Sequence, residues 1–407
     1  MATNTLLTIS MITREALRVL ENTLAFAKGV TRSYDDKFAV QGAKIGDTLN
    51  IRKPPRFVGR LGPTAVIEDY TQASVPLQLN KQRGVDLEFS SKDLSLSLDD
   101  FSSNIIKPAV ASIANGIDRD GLLLYQEVSN ATGTPGTALT GATALSTFLK
   151  AGAKMSNEAA PVDSMRSAVI DANTQVTLVD GLKGLFQSSD RIAEQYEKGN
   201  MGKAAGFKFS MDQNVVNHVV GPLGGVPLVN GAAQTGALLI TDGWTAAAAL
   251  RLNKGDIFTI SGVFAVNPQS NQSTAELRQF TVTAPVSSLT TGAATIPISP
   301  SIIVTGPFKT VTVAPADNAA IDVLGPANTL SAANLCYHRD AFVLASADLP
   351  LPGGVDMAAR VSDKQLGISL RVVRQYDVRT DLLICRLDVL YGWKTVYPEL
   401  ACRVYGN

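Results

Sequence analysis

Apolar and polar positions alternate most clearly near the C-terminus. From Gly367 to Val404 the chain reads as two long strands, the second running into Tyr391-Gly392-Trp393 and then Pro398-Glu399. Near the other end the period changes from two to between three and four. Leu17, Leu20, Leu24 and Ala27 fall on one helical face, with Thr13 as a fair N-cap and Gly29 as the stop. Such a short amphipathic helix cannot bury its stripe alone and needs the body, a neighbour or a partner. The longest helical pattern runs from Pro108 to Asn130, with Val110, Ile113, Ala114, Ile117, Gly121, Leu124, Tyr125 and Val128 on one stripe. At 1.5 Å per residue it predicts a strut of ~34 Å, with Asp118, Arg119 and Asp120 off the apolar face.

Between these landmarks the pattern is mixed. Asn130 to Thr143 is a Gly/Thr/Ala-rich link. Residues 144–220 predict α/β structure: a helix carrying Leu145, Leu149 and Ala153, and a buried strand at Ala168-Val169-Ile170. Helices at Gln175 to Phe186 and Ser189 to Lys198 and a strand at Gly206-Phe207-Lys208-Phe209 complete it. Composition breaks at about Gly221. Between Ala232 and Asn328 only nine charged residues occur, among short alternating runs with frequent Gly and Pro turns. That predicts a small β-barrel or sandwich inserted into an α/β body that resumes at Asn334, its two ends close together.

Residues 40–90 alternate glycines with strand-like runs at Thr48 to Arg52 and Val75 to Leu79. Lys44, Arg52, Lys53, Arg56 and Arg60 stand there against only Asp47 within 41–60. Two readings stay open: a solvated hairpin with charged edges, or a basic hairpin reaching an acidic surface of another copy. Pro54, Pro55, Pro63 and Pro76 suit an extended arm better than a central strand.

The bulk numbers narrow the function. The 407 residues are 45% apolar and 18% charged, enough for a real core of two or three domains. Lys plus Arg and Asp plus Glu both total 36, so there is no basic excess of the kind a phosphate-gripping reader shows. Zero net charge also removes self-repulsion between identical copies. The three cysteines, Cys336, Cys385 and Cys402, are odd in number and widely spaced, which favours a reducing compartment. No signal peptide is read at the N-terminus, and no apolar run approaches the ~20 residues of a membrane span.

Catalytic signatures are missing from the sequence, so an enzyme is not expected. There are two histidines, His218 and His338, and no C-x-x-C. Cys336 and His338, two apart, fall short of the three or four ligands of a zinc site and predict buried packing. Gly221 to Gly225 lacks the Lys and Ser/Thr of a phosphate loop, and no G-x-S-x-G or helix-opening G-x-G-x-x-G occurs. No catalytic, cofactor or metal residue is assigned.

The order of parts is itself informative. Asp100-Phe101, Ile106-Lys107-Pro108-Ala109, Ala114-Asn115-Gly116-Ile117-Asp118, Tyr196 to Asn200 with Ala205-Gly206-Phe207, and Lys254 to Val263 occur in turn. Cys385-Arg386, Tyr391-Gly392-Trp393 and Pro398-Glu399 follow. Together they resemble the major coat (capsid) proteins of tailed bacteriophages with the Hong Kong-97-type fold, in the Salmonella phage P-twenty-two-type group that carries an inserted β-barrel. The resemblance covers essentially the whole chain.

It implies an α+β fold in five parts: an N-terminal arm with a short helix at 1–39, and an extended basic hairpin loop with adjoining strands at 40–90. A spine helix and α/β body at 91–231, an inserted β-barrel at 232–328 and a closing sheet at 329–407 follow. It implies hexamers and pentamers closing an icosahedral shell around double-stranded DNA held by non-specific contact. A scaffolding protein and a portal are the implied partners, with no membrane and no small-molecule substrate. Assembly in the bacterial host cytoplasm would end in the virion capsid. Arg52, Lys53, Arg56 and Arg60 become the expected intersubunit contacts, and Arg14 and Arg18 the expected interior, scaffold-facing residues. The insertion's start, Leu238 to Leu252, carries only Asp242 and Arg251, where relatives can have a longer charged loop bridging capsomers. Two other classes remain: a bacterial nanocompartment shell of the same fold, and a surface-binding β module on an α/β enzyme.

Overall fold

The computed structural model describes residues 24–32, 48–59, 62–63, 67, 72–90, 107–182, 202–362 and 368–406. The chain divides into two compact units, each assembled from separated stretches. The first comprises Met1–Ile51, Val75–Gly121 and Phe342–Lys394, and the second Arg52–Ser74, Leu122–Ala341 and Thr395–Asn407.

The first unit is built on the two long C-terminal strands that the alternation predicts. Ser369–Asp377 and Leu382–Thr395 pair antiparallel, with Arg371 opposite Asp388. Lys81–Ser90 runs antiparallel along Leu382–Thr395, with Lys81 opposite Tyr391, while Phe342–Ala347 and Met357–Ser362 complete five strands. Leu387, Val389, Tyr391 and Trp393 are buried, the period of two that puts alternate side chains on one face.

Each member of Tyr391-Gly392-Trp393 has a physical reason. The Tyr391 hydroxyl donates to Asp120 Oδ2 at 2.7 Å. A Cβ on Gly392 would lie 2.0 Å from the Gln78 carbonyl oxygen, so only glycine admits that strand. Trp393 Nε1 donates to the Ile117 carbonyl at 3.1 Å and the indole stacks on Phe26 at 5.3 Å.

The strut helix is shorter than its stripe suggests. The α-helix is Lys107–Leu122, and the chain then tightens into a 3-10 turn at Leu123–Glu127 and is extended at Val128. The last part of the apolar stripe, including buried Tyr125 and Val128, therefore lies outside the α-helix. The Val128 N–H bonds the Tyr125 carbonyl at 3.0 Å, while the Gln126 carbonyl accepts from Thr281 Oγ1 at 3.1 Å. A partner distant in sequence thus takes a carbonyl that a longer helix would use itself.

Asp118 also departs from its predicted place. It is buried, and its carboxylate accepts from the backbone N–H groups of Ala25, Phe26 and Ala27 at 2.6, 3.1 and 3.0 Å. It anchors the segment leading into the 3-10 turn Ala27–Gly29. Leu24 and Ala27 are buried as their stripe requires, while Thr13, Leu17 and Leu20 of the same predicted helix lie outside the described residues.

Two buried or half-buried carboxylates of the first unit are held ionised by their neighbours. Asp388, with no exposed side chain, accepts from Arg371 Nη2 at 2.6 Å, Gln82 Nε2 at 2.7 Å and Arg386 Nε at 2.9 Å. Asp120 receives Tyr391, Lys81 and Arg83. Burial alone would raise both carboxyl pKa values. The Arg371 and Gln82 bonds at Asp388, and the Tyr391 and Lys81 contacts at Asp120, outweigh it and hold both below the ordinary range. Groups depressed in the folded state stabilise it above their unfolded pKa of about 4, and that stability is lost as pH falls through the folded values. The expected result is a thermal midpoint that drops steeply below about pH 4, less steeply in Asp388→Asn. Scanning calorimetry across that range checks it; equal slopes would contradict it.

In the second unit a seven-stranded sheet runs in the order Ala131–Thr132, Ala401–Gly406, Leu330–His338, Arg166–Ile170, Phe207–Met211, Lys203–Ala204, with Asn217–Val219 also on Leu330–His338. Leu330–His338 is buried at every residue after its first, which reads as a central strand. Helices Gly141–Asn157 and Ala172–Leu182 contribute to its apolar core. The first starts at a Thr140/Thr143 capping box. It buries Ala144, Phe148, Ala151 and Met155, one position away from the predicted Leu145, Leu149, Ala153 face, and leaves Leu149 exposed. Phe148 decides the rotation, packing edge-on to Phe209 with centroids 5.3 Å apart. The second begins earlier than Gln175, because Asp171 accepts from the Asn173 and Thr174 N–H groups. The helix expected at Ser189 to Lys198 lies outside the described residues.

The charge-poor segment is entirely β. Ile321–Val323, Ile257–Val266, Ser273–Val282, Ala294–Ile302, Gly236–Trp244 and Gly225–Val229 pair in that order, with Ala249–Leu252 on Val286–Ser288 as a separate pair. The first and last members meet through a Leu228–Ala320 bridge and the Val229 N–H to Ala319 carbonyl bond at 3.0 Å, so the sheet curls shut. Val229, Leu239, Phe258, Ile260, Phe280 and Ile296 help fill its core. Gly225–Val229 belongs to this sheet although it lies upstream of residue 232.

The segment's ends lie side by side: the Val220 N–H bonds the Thr329 carbonyl at 3.0 Å and the Asn328 N–H the Val220 carbonyl at 3.1 Å. A buried polar network ties this root down. His218 Nε2 lies 2.9 Å from Asp256 Oδ1 and its Nδ1 3.2 Å from the Tyr125 hydroxyl. Arg403 packs over the Tyr125 ring and donates to the Gly255 carbonyl, to Thr281 Oγ1 at 2.9 Å and to the Tyr405 hydroxyl at 3.0 Å.

Cys336, Cys385 and Cys402 are free and buried, and His338 is held by Asp163 at 3.2 Å. Among the described residues no group of three His, Cys, Asp or Glu could hold a metal, and no helix is long and apolar enough to cross a membrane.

Candidate assembly surface

Thr48–Arg52 and Ser74–Gln78 form a two-stranded ladder, extended by the Lys53 N–H to Ala73 carbonyl bond at 2.8 Å. Residues 53–59 follow the first strand without regular secondary structure. Phe57 and Val58 are each 56% exposed and Ile67 is 92% exposed, apolar area that a solitary protein gains nothing by offering to water.

The basic residues of this arm separate into two groups. Arg52 is exposed. Arg56 and Lys53 turn onto their own chain. Arg56 Nη2 lies 2.9 Å from Glu399 Oε1, and its guanidinium sits over the Phe308 ring at 5.6 Å. Lys53 Nζ stands 4.9 Å from the centre of the Tyr397 ring. Burial lowers the Lys53 pKa; Glu399 opposes that and Arg56 adds to it. Arg60, Arg14 and Arg18 lie outside the described residues.

Glu399 owes its position to Pro398, which opens the 3-10 turn Pro398–Leu400 where the missing N–H costs nothing. Behind the Arg56–Glu399 pair lies a second one, between Glu158 and Arg278. Both side chains are over nine-tenths buried and in direct contact. Glu158 follows the helix Gly141–Asn157, and Arg278 lies in Ser273–Val282. Burial drives the Glu158 carboxyl pKa up, and the Arg278 charge only partly restrains it. The two pairs line a common cavity of about 90 Å³ with Lys309 and Thr310.

Of these residues the sequence flagged Arg52, Lys53 and Arg56 by their density and Glu399 by its motif. It gave no signal for Glu158, Arg278, Phe308 or Lys309, which converge only through tertiary structure. Nothing here places a nucleophile beside a base; paired charges and exposed apolar loop residues are features of a contact surface.

The sequence profile of the family described as "P22 coat protein - gene protein 5" matches residues 1–406. The chain belongs to the P22 coat protein family. It is thus a structural major capsid protein of the tailed-phage kind, as the order of its parts led us to expect, and its architecture mixes helices and strands. No curated protein sequence matches the chain.

Solved structures similar to it include a chain of Mycobacterium phage Che8, 11% identical, with 94% of this chain and 90% of that chain covered and a TM-score of 0.46. The capsid of Cyanophage P-SCSP1u is 11% identical, covering 93% and 89%, also at 0.46. The mature capsid of bacteriophage PhiM1 is 11% identical, covering 89% and 83%, at 0.43.

Proposed function

We propose that this coat protein assembles through hexamers and pentamers into an icosahedral shell enclosing double-stranded phage DNA. A scaffolding protein and a portal act as partners, and assembly takes place in the host cytoplasm. Family membership over residues 1–406 carries this reading and favours it over a compartment shell or a ligand-binding β module. The charge balance fits it, since 36 basic against 36 acidic residues leave copies free to approach. A closed shell repeats modest interfaces many times, so that misplaced copies can dissociate and correct.

In this reading the loop between Thr48–Arg52 and Ser74–Gln78 reaches a neighbouring copy, and its exposed Phe57, Val58 and Ile67 become buried there. Arg52 meets a neighbour's carboxylate. Arg56 is held by Glu399 until a neighbour's carboxylate replaces it, and Lys53 and Arg60 support the same contact. Arg14 and Arg18 face the interior, where the scaffolding protein docks. Residues 232–328 act as an inserted barrel that folds as one core and stiffens the body holding its ends.

Charge reversal tests the arm. Arg52→Glu, and more strongly Arg52→Glu with Arg56→Glu, is expected to cut shell yield at least about tenfold while circular dichroism of the unassembled chain stays unchanged. Arg52→Glu is the cleaner variant, because that side chain is exposed and its loss does not unpair Glu399. Wild-type yield from both variants would contradict the role given to the arm.

A further inference from the structure

The cavity behind the arm has an unbalanced set of charges. Arg56, Arg278 and Lys309 line it against two carboxylates, Glu158 and Glu399. Each carboxylate already has a partner, Arg278 for Glu158 and Arg56 for Glu399. Lys309 is half-buried and forms no ion pair among the described residues. The Arg278 guanidinium is also incompletely used, because its buried Nε–H finds no acceptor. A buried donor left unpaired costs about 1–3 kcal/mol, so an acceptor reaching it recovers that penalty. The space of about 90 Å³ holds several waters or one carboxylate group. A surplus cation, an arginine with an N–H to spare and room for a small anion therefore belong to the lining of one cavity.

We propose that this cavity receives an Asp or Glu side chain from a second copy of the chain. The inference rests on the assembly reading above and names a receptor for it that joins Arg56 of the arm to Arg278 and Lys309 from outside it. Two observations favour a protein carboxylate over phosphate. The cavity lies beside a loop exposing Phe57 and Val58, and apolar area of that kind matches a protein face rather than a phosphate backbone. Each incoming copy also brings 36 carboxylates on a chain with no basic excess. Lys309 supplies the long-range attraction and Arg278 the directional bond, while Glu158 and Glu399 keep the two arginines in place between encounters.

Zero-length crosslinking reads the contact directly. A carbodiimide activates a carboxylate as its O-acylisourea, and a touching Lys309 amine attacks the acyl carbon, forming the amide as the C–O bond breaks and the urea leaves. One water is transferred to the reagent overall. Assembled shells and unassembled full-length chain are treated in parallel and the products mapped by mass spectrometry. The expected result is a Lys309 amide to an Asp or Glu of another copy, present in shells and absent from the unassembled chain. Lys309→Gln should raise the concentration needed for shell formation about tenfold, and Lys309→Arg should restore it, as for a charge-assisted bond.

Lys309 crosslinked only to its own Glu399, or Lys309→Gln assembling at the wild-type concentration, overturns the proposal. If sodium acetate raises the unfolding midpoint of the unassembled wild type more than that of Lys309→Gln while both assemble alike, the cavity takes small anions only. That result also overturns it. A wild-type chain that forms no shells removes the assembly reading and this inference together, so the two failures are distinguishable.

Discussion

Glu158→Ala is expected to destabilise the second unit by about 3–5 kcal/mol, the range seen when one partner of a buried ion pair is removed. The mutation leaves Arg278 without its ion-pair partner, and its Nε–H is already without an acceptor. The helix Gly141–Asn157 also loses the contact by which the residue after its end grips Ser273–Val282. Chemical denaturation should show a lower midpoint at unchanged slope. Hydrogen exchange should quicken first in those two elements.

The double change Glu158→Leu with Arg278→Met provides the control. Burial pushes the Glu158 pKa up despite its arginine, so the pair is not a strong net source of stability. The apolar pair should recover most of the loss. If the double variant is as unstable as the single one, packing rather than stranded charge explains the effect. On the account above it would fold well yet assemble poorly, because the cavity would lose the Arg278 guanidinium.

The second large effect falls in the first unit. Asp118→Ala removes the acceptor for three backbone N–H groups at Ala25, Phe26 and Ala27, of which the last two are buried and the first half-buried. Unpaired buried donors cost about 1–3 kcal/mol each, though the strand of chain relaxes, so a loss of about 4 kcal/mol is expected. Phe26 should lose its seat, since it packs between Phe342 at 5.6 Å and Trp393 at 5.3 Å. Tryptophan fluorescence reports that displacement, and amide exchange at 25–27 reports the lost bonds. Asp118→Asn keeps an acceptor and should fall between the two. Protection at these amides equal to wild type in Asp118→Ala would show that the segment is held by other contacts.

These two residues also show what the sequence could and could not convey. Strands with one buried face were legible from alternation alone, as at Leu387, Val389, Tyr391 and Trp393. Capping chemistry is local, since Thr140 and Asp171 bond amides within a few residues, but neither cap stood out in the sequence and the second helix starts before Gln175. Interactions between residues far apart in sequence were not. Asp118 looked solvated because its three donors lie about ninety residues upstream. Glu158 and Arg278 are separated by 120 positions and neither has a local signature. The apolar stripe through Tyr125 and Val128 was real, yet a 3-10 turn served it as well as a longer helix. The helix Gly141–Asn157 was found with its buried face one residue off, because Phe148 outweighs Leu149 in the space beside Phe209.

For the candidate site the asymmetry is similar. A dense basic run marked the arm, but density says nothing about partners, and Arg56 proves to be held by Glu399 of its own chain. Lys309 was one of nine scattered charges in an otherwise neutral segment, and only the tertiary arrangement sets it beside two arginines. The family resemblance carried the capsid role, since no single motif in the chain performs it.

Sedimentation velocity combined with negative-stain microscopy of the full chain, expressed with its neighbouring genes, tests the central claim most directly. The account predicts a fast-sedimenting population of closed particles of uniform diameter whose shell is built from this polypeptide. A chain that stays a folded monomer at every concentration, with scaffolding protein supplied, would contradict it.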